Sequence, residues 1–258
     1  MNLGLEDRVA LVCGASRGLG RAVAEELAAE GASVAVCSRD AERLSAAAEI
    51  GPEVLAVPAD LAVAGEPTRV VEATLERFGR LDVLVANTGG PPAGTHDTLT
   101  PEDWERATAL LLGSAVELAT AALPGMKECR WGRILMVTSV AVKQPVDNLM
   151  LSNSLRAAVT GFAVTLAREV AKGGITVNTI LPGYTTTERV VELNEANARR
   201  EGVDPAEIQA RLEAAIPMGR LAEPHEFAAL AAFLASERAG YITGGAFAVD
   251  GGWLRGLL

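Results

Sequence analysis

Short, uniformly apolar segments alternate with longer segments of helical periodicity along most of this chain. The first apolar segment, residues 9–13, is followed by an amphipathic stretch from 21 to 30, and the second covers residues 33–38. Strands that are apolar throughout are buried on both faces, and their alternation with helices is typical of a parallel sheet. Five further apolar segments lie at residues 54–57, 83–86, 134–138, 176–180 and 246–249. Because crossovers between parallel strands are right-handed, the pattern predicts an α/β fold with a doubly wound, parallel, seven-stranded sheet and helices on both faces.

A glycine-rich turn separates the first apolar segment from the first helical one. Gly14, Gly18 and Gly20 occur in the spacing Gly-x-x-x-Gly-x-Gly and open the predicted helix. Glycine accepts backbone angles that are closed to other residues, and it lets the main chain approach a pyrophosphate at the positive end of a helix. A strand, this turn, a helix and a second strand together predict a dinucleotide-binding fold of the Rossmann type.

Length, charge and cysteine content narrow the class of protein. A chain of 258 residues can bury one large core, so a single domain over residues 1–258 is expected. The net charge of −10 argues against nucleic acid or an anionic membrane surface as partner. We find no apolar run of about 18 residues and no basic-then-apolar N-terminus, which predicts a cytoplasmic protein. The three cysteines lack the spacing of a metal site, so buried, reduced thiols and no metal are expected.

Further motifs lie where the predicted strands end, and together they identify a resemblance. The motifs are Asp60-Leu61, Asn87 to Gly90, Ser139, Pro182-Gly183 with Thr187, Thr243 to Gly245, and Asp250 to Gly252. With the glycine turn, they make the chain resemble the short-chain dehydrogenase/reductase family over nearly its whole length, most of all 3-oxoacyl-[acyl-carrier-protein] reductases. The resemblance implies an oxidoreductase that acts on a carbonyl or alcohol group of a small-molecule substrate with a nicotinamide cofactor.

The same resemblance implies a set of cofactor-binding residues. Asp60 would cap the adenine amino group, and the turn from Asn87 would line the adenosine ribose. Arg39 follows the second strand, where an acidic residue would favour NAD and an arginine can pair with a 2′-phosphate. Arg17 adds a second positive charge, so NADP(H) is predicted over NAD(H); alternatively, both arginines are solvated surface residues. The full set is Gly14, Ser16, Arg17, Gly18, Leu19, Gly20, Arg39, Asp60, Leu61, Asn87, Gly89, Arg156, Pro182, Gly183 and Thr187.

The catalytic pattern departs from the family. There, a serine binds the substrate oxygen, a tyrosine thirteen residues later transfers the proton, and a lysine four residues further holds the nicotinamide ribose. In this chain Ser139 is present, but the tyrosine position is Ser152 and the lysine position is Arg156. Leu110 replaces the asparagine that anchors a water chain in the family. A serine hydroxyl is a far weaker acid than a phenol, whose ordinary pKa is about 10, and a guanidinium remains protonated.

Other groups are candidates for the lost proton donor. Tyr184 follows Pro182-Gly183 and is a candidate for a displaced acid, although packing or substrate contact also accounts for it. His96 is a second candidate, because histidine as a residue type is a plausible acid near neutral pH, or else it is a surface residue. The catalytic residues predicted are therefore Ser139, Ser152, Arg156 and Tyr184, in an oxidoreductase with a non-standard proton donor. A catalytically silent dinucleotide- or ligand-binding homologue that acts as a sensor or oligomeric partner is the alternative, and a different reaction class on this scaffold is a third.

Two larger features are implied by the resemblance. Helix-patterned segments at 187–201 and 204–216 lie where the family places its mobile cover, so a helical substrate lid is expected at about 184–219. Ordinary amphipathic packing also accounts for them. Segments 101–128 and 148–172 correspond to the helices through which family members form tetramers, which implies a homotetramer or homodimer.

Overall fold

A parallel sheet forms the middle layer of the protein. The computed structural model describes residues 2–51 and 53–257. Seven strands of this part of the chain pair in the order β3-β2-β1-β4-β5-β6-β7, and every pairing is parallel. The predicted doubly wound sheet is confirmed. The strands are β1 (Val9–Cys13), β2 (Ser33–Ser38), β3 (Val54–Pro58), β4 (Val83–Ala86), β5 (Gly132–Val137), β6 (Ile175–Pro182) and β7 (Ala246–Val249).

Helices cover both faces of this sheet. The helices are α1 (Gly18–Ala29), α2 (Ala41–Leu44), α3 (Glu66–Phe78), α4 (Pro101–Thr108), α5 (Ser114–Cys129), α6 (Met150–Val170), α7 (Glu188–Glu201), α8 (Pro205–Ala215) and α9 (Pro224–Ala235). Residues of β1 alternate between two hydrophobic clusters, because successive side chains of a strand point to opposite faces. Leu11 packs in the cluster that α3, α5 and α6 complete. Ala10 and Val12 pack in the cluster formed with α1 and α9.

One π-helical turn, Ala109–Gly113, joins α4 to α5. The continuous segment Pro101–Cys129 is long and apolar enough to cross a membrane by length and composition alone, so the expectation that no such segment exists is not met. Its Leu118, Ala119 and Met126 are completely buried against the sheet, as in a core helix. The π-helical turn contains Leu110, and such turns occur mostly at functional sites.

The strand order places a crevice between β1 and β4. The chain leaves these neighbouring strands toward opposite halves of the sheet, and ligands bind at this kind of reversal. Near the crevice, α7 and α8 begin one residue later than the predicted helical segments, because Thr187 and Asp204 are the N-terminal caps. The Asp204 carboxylate accepts a hydrogen bond from the N–H of Ala206 at 2.8 Å.

Candidate active site

A cleft of about 740 Å³ opens at the carboxyl ends of the central strands. It brings together residues from distant parts of the chain, and all the predicted site residues except Asp60 line it. They are Gly14, Ser16, Arg17, Gly18, Leu19, Gly20, Arg39, Leu61, Asn87, Gly89, Ser139, Ser152, Arg156, Pro182, Gly183, Tyr184 and Thr187.

The glycine turn has a backbone that side chains would not permit. Gly14 and Gly18 have φ angles of +60° and +58°, in the left-handed region that favours glycine. A Cβ atom at Gly20 would lie 2.3 Å from the carbonyl oxygen of Gly14. The N-cap residue of α1, Arg17, makes no side-chain capping hydrogen bond, so the first N–H groups of the helix are available to an anion. This cradle fits the pyrophosphate of a dinucleotide.

Two predicted cofactor residues have different local roles from those expected. The Asn87 side-chain amide donates to the carbonyl oxygens of Cys13 and Gly14, at 3.2 and 3.4 Å. Asn87 therefore connects the end of β4 to the glycine turn. Asp60 accepts a hydrogen bond from the N–H of Ala62 at 3.1 Å and lies 3.9 Å from Arg106, while its neighbours Ala59 and Leu61 line the cleft.

A cluster of charges closes the outer end of the cleft. The Glu188 carboxylate, in the first turn of α7, accepts hydrogen bonds from both Arg17 and Arg43. Arg43 and Arg17 together lower the pKa of Glu188. Glu192 lies 3.2 Å from Arg17. Arg39 also lines this end, and within residues 2–51 and 53–257 it forms no ion pair. The cationic groups predicted to select a 2′-phosphate are thus present, but a carboxylate of α7 engages one of them.

Ser139 lies at the inner end of the cleft, directly after β5. Its Oγ accepts a hydrogen bond from the N–H of Ala141 at 3.1 Å and caps the short helical turn Val140–Val142. Because this contact uses a lone pair, the hydroxyl proton remains available to an acceptor in the cleft. Ser139 is therefore placed to donate to a substrate oxygen.

Ser152 and Arg156 lie one turn apart on α6, and both face this end. Ser152 is 8% exposed, and its hydroxyl forms no hydrogen bond with any residue the structure describes. The Arg156 guanidinium donates to the carbonyl oxygen of Val137 at 2.8 Å. Burial, and next the charge of Arg189, lower the pKa of Arg156 to about 10. Arg156 consequently stays protonated at neutral pH and supplies a permanent positive charge.

Of the two candidates for a displaced acid, Tyr184 lines the cleft and His96 does not. The ring of Tyr184 meets Trp253 edge to face, with centroids 5.8 Å apart. Burial, and to a lesser degree the charge of Asp147, raise the pKa of Tyr184, so its phenol remains protonated over a wider pH range. His96 is exposed on the loop after β4 and is absent from the cleft lining.

Sequence reasoning missed several groups in the cleft. Arg189, on α7, donates to the carbonyl oxygen of Pro91 at 3.0 Å, across 98 residues of chain. Thr138 and Thr185 line the cleft with buried hydroxyls that have no hydrogen-bond partner among the described residues. The available signal for the threonines was their position, one residue after the end of β5 for Thr138 and three residues after the end of β6 for Thr185. No local signal exists for Arg189, because the contact depends on how α7 folds back.

Comparison with known proteins decides the family. A family model described as Enoyl-(Acyl carrier protein) reductase matches residues 14–254. The chain belongs to the short-chain dehydrogenase/reductase family.

Similar members of the short-chain dehydrogenase/reductase family cover the entire fold. D-beta-hydroxybutyrate dehydrogenase of Cupriavidus necator is 36% identical over 97% of this chain and 99% of the relative. The 3-oxoacyl-[acyl-carrier-protein] reductase of Vibrio cholerae is 35% identical over 97% and 98%. The structure of L-sorbose reductase from Gluconobacter frateurii, complexed with NADPH and L-sorbose, superposes with a TM-score of 0.94 at 35% identity and covers 100% of both chains.

Proposed function

We propose that this protein is an NADP(H)-dependent oxidoreductase that interconverts a carbonyl and an alcohol group without a tyrosine at the usual position. The observation that carries the proposal is the shared cleft, which the glycine turn, Ser139 and Arg156 all line. The similarity to 3-oxoacyl-[acyl-carrier-protein] reductases and to a sorbose reductase complexed with NADPH supports the reaction class.

The residues of the cleft fit the reduction of a carbonyl group. The nicotinamide cofactor supplies a hydride when bound, and the substrate oxygen gains a proton, so a ketone becomes a secondary alcohol. Ser139 donates a hydrogen bond to that oxygen and stabilises the negative charge that develops there, because a preorganised donor in a partly dry site acts strongly on such charge. The proton comes from a group other than Ser152, whose hydroxyl is too weak an acid. Tyr184 is the remaining phenol of the cleft.

Preference for NADP(H) over NAD(H) is part of this proposal. Arg17, Arg39 and Arg43 line the outer end of the cleft, next to the residues that follow β2. A guanidinium presents a planar set of donors that suits a phosphate, whereas an NAD ribose would need an acceptor there. The competing carboxylate of Glu188 makes the preference directly testable.

Replacement of Glu188 by Gln is expected to increase NADPH affinity about 3- to 10-fold and NADH affinity much less. In the variant, the exposed ion pairs of Glu188 with Arg17 and Arg43 no longer compete with charged hydrogen bonds from these arginines to the 2′-phosphate. Fluorescence titration with each cofactor at low and high salt measures the effect. Glu195→Gln is the matched control, because this carboxylate lies on the same helix and pairs with Arg199 at 3.7 Å. An equal gain for NADH and NADPH would show that Glu188 does not face the 2′-phosphate.

The helical cover and the assembly belong to the proposal as well. Helix α7 reaches both ends of the cleft, through Glu188 at Arg43 and Arg189 at Pro91. This supports a substrate lid over about 184–219. Val116 on α5 and Val164 on α6 are exposed apolar residues, 37% and 40% accessible. They support a homo-oligomer through these helices, and we place the protein in the cytoplasm.

A catalytically silent, cofactor-binding homologue is the second candidate. The observation that favours it is the buried Ser152 hydroxyl, which cannot transfer a proton as the missing phenol would. NADPH and NADH titrations followed by turnover assays on ketones, 3-oxoacyl thioesters and sugars separate the two candidates. Cofactor binding with turnover supports the oxidoreductase, and binding without turnover of any carbonyl or alcohol supports the silent homologue. Failure to bind either cofactor would contradict both.

A further inference from the structure

Arg156 is a buried charge without a counter-ion among the residues that the structure describes. Its side chain is 9% exposed and lines the cleft, and the hydrogen bond to Val137 uses only one of five guanidinium N–H groups. None of the ion pairs in the described chain includes Arg156. A charge that is buried without a partner costs free energy, so proteins seldom retain one without a use for it.

A second guanidinium increases the positive charge of the same region. Arg189 reaches the loop after β4, and a Cβ atom at Gly90 would lie 3.2 Å from its Nε and terminal nitrogens. Its charge lowers the pKa of Arg156, which indicates that the two cations act on each other. Glu192 lies 3.7 Å from Arg189 and offsets part of this charge.

The carboxylates of the cleft are at its outer end. Three acidic residues line it, and each lies within ion-pair distance of an arginine other than Arg156. Asp40 is 3.0 Å from Arg43, and Glu188 binds Arg43 and Arg17. Glu192 binds Arg17 at 3.2 Å. Around Arg156 the lining supplies neutral hydroxyls, those of Thr138, Ser139, Ser152, Tyr184 and Thr185. The Asp147 carboxylate, whose charge acts on Tyr184, is absent from the cleft lining. The inner end is therefore positive in a protein whose net charge is −10.

We propose that the substrate is an oxo acid or the corresponding hydroxy acid, whose carboxylate pairs with Arg156 while Ser139 binds the reacting oxygen. A carboxylate matches the planar guanidinium fork and neutralises its charge, whereas the hydroxyls of a cofactor ribose are neutral and leave it uncompensated. Arg189 adds a second positive charge on the lid side. Ser139 lies two residues after β5, and the Arg156 guanidinium on α6 donates to the last carbonyl oxygen of β5, so one small molecule can carry both the carboxylate and the carbonyl. This inference rests on the proposed function.

Binding and turnover can be measured with matched acids and esters. The probes are pyruvate, acetoacetate and benzoylformate, and each is compared with its methyl ester. Calorimetry measures their binding to protein that is saturated with NADP⁺, because the oxidised cofactor cannot reduce the probes. The acid that fits best is expected to bind about 10- to 100-fold more tightly than its ester, as for the loss of a charged hydrogen bond. Arg156→Met is expected to remove this difference without weakening NADP⁺ binding. Arg156→Lys is expected to restore part of it.

Two further measurements keep the inference testable if a variant is unstable. Arg156→Met is expected to raise the Tm of the ligand-free protein by a few degrees, because an unpaired buried charge is removed. Arg189→Gln, on the exposed side of the cleft, is expected to reduce the acid preference about 3-fold or more. Arg168→Met is the control for Arg156→Met. Arg168 lies on α6, the helix of Arg156, but it is exposed and absent from the cleft lining.

Three results would overturn the inference. The first is that esters bind as tightly as acids, the second is that acid binding vanishes once NADP⁺ saturates the protein, and the third is that Arg156→Met weakens NADP⁺ binding alone. The last two would assign the guanidinium to the cofactor. If ketones and esters are reduced without any preference for acids, the inference fails and the proposed function stands. If acids bind selectively but no carbonyl is reduced, the proposed function fails and the anion site stands.

Discussion

Substitution of Gly20 by Ala is expected to weaken NADPH binding by about 100-fold or more, which is a loss of roughly 2.7 kcal/mol of binding free energy. The same substitution is expected to lower the free energy of unfolding by about 1–3 kcal/mol. The added Cβ would lie 2.3 Å from the Gly14 carbonyl oxygen and 2.8 Å from the Asn87 amide. Neither atom can move freely, because the same amide donates to the carbonyl oxygens of Cys13 and Gly14. The glycine turn would open, and its N–H groups would lose the arrangement that fits a pyrophosphate.

Fluorescence titration and chemical denaturation measure these two effects. Gly125→Ala is the matched control, because Gly125 lies on an exposed part of α5 and a Cβ there would meet nothing within 4 Å. This control is expected to stabilise the protein by about 0.5–1 kcal/mol, since alanine has the higher helix propensity. NADPH affinity within a few-fold of the native value in Gly20→Ala would show that the turn does not hold the cofactor.

Substitution of Ser139 by Ala is expected to lower kcat about 100- to 1000-fold, the usual effect of removing one donor to a developing oxyanion. The effect is expected on kcat more than on cofactor affinity, because Oγ accepts from the N–H of Ala141 and leaves the hydroxyl proton available to the substrate oxygen. Steady-state kinetics on any carbonyl that proves to be a substrate, together with NADPH titration, separate the two quantities.

Ser154→Ala provides the control for this substitution. Ser154 lies on α6 near Ser152 but is exposed outside the cleft, so kcat should stay within about twofold of the native value, as for ordinary surface substitutions. A kcat for Ser139→Ala within tenfold of the native enzyme would mean that another donor binds the substrate oxygen. Thr138, whose buried hydroxyl lines the cleft, would then be the next residue to test.

The fold could be predicted because its signals are local. Uniformly apolar strands such as residues 9–13 indicate burial on both faces, and the amphipathic segments between them indicate covering helices. The active-site positions followed from spacing: Ser139, Ser152 and Arg156 are separated by fixed counts, and one helix presents the last two on the same face. Asp60 shows the limit of this reasoning, because its backbone neighbours line the cleft while its own carboxylate turns to Ala62 and Arg106.

The sequence by itself determined the parallel sheet, the glycine turn and the presence of a serine, Ser152, thirteen residues after Ser139. Each depends on residue types at short, regular separations, for which backbone geometry leaves few alternatives. Only the tertiary structure decided that Glu188 pairs with Arg17 and Arg43, that Arg189 reaches Pro91, and that Arg156 is buried without a counter-ion among the described residues. Those features depend on how α7 packs over the cleft and on which charged side chains it brings into contact. Because these residues are far apart in the sequence, no periodicity of residue types reveals their contacts.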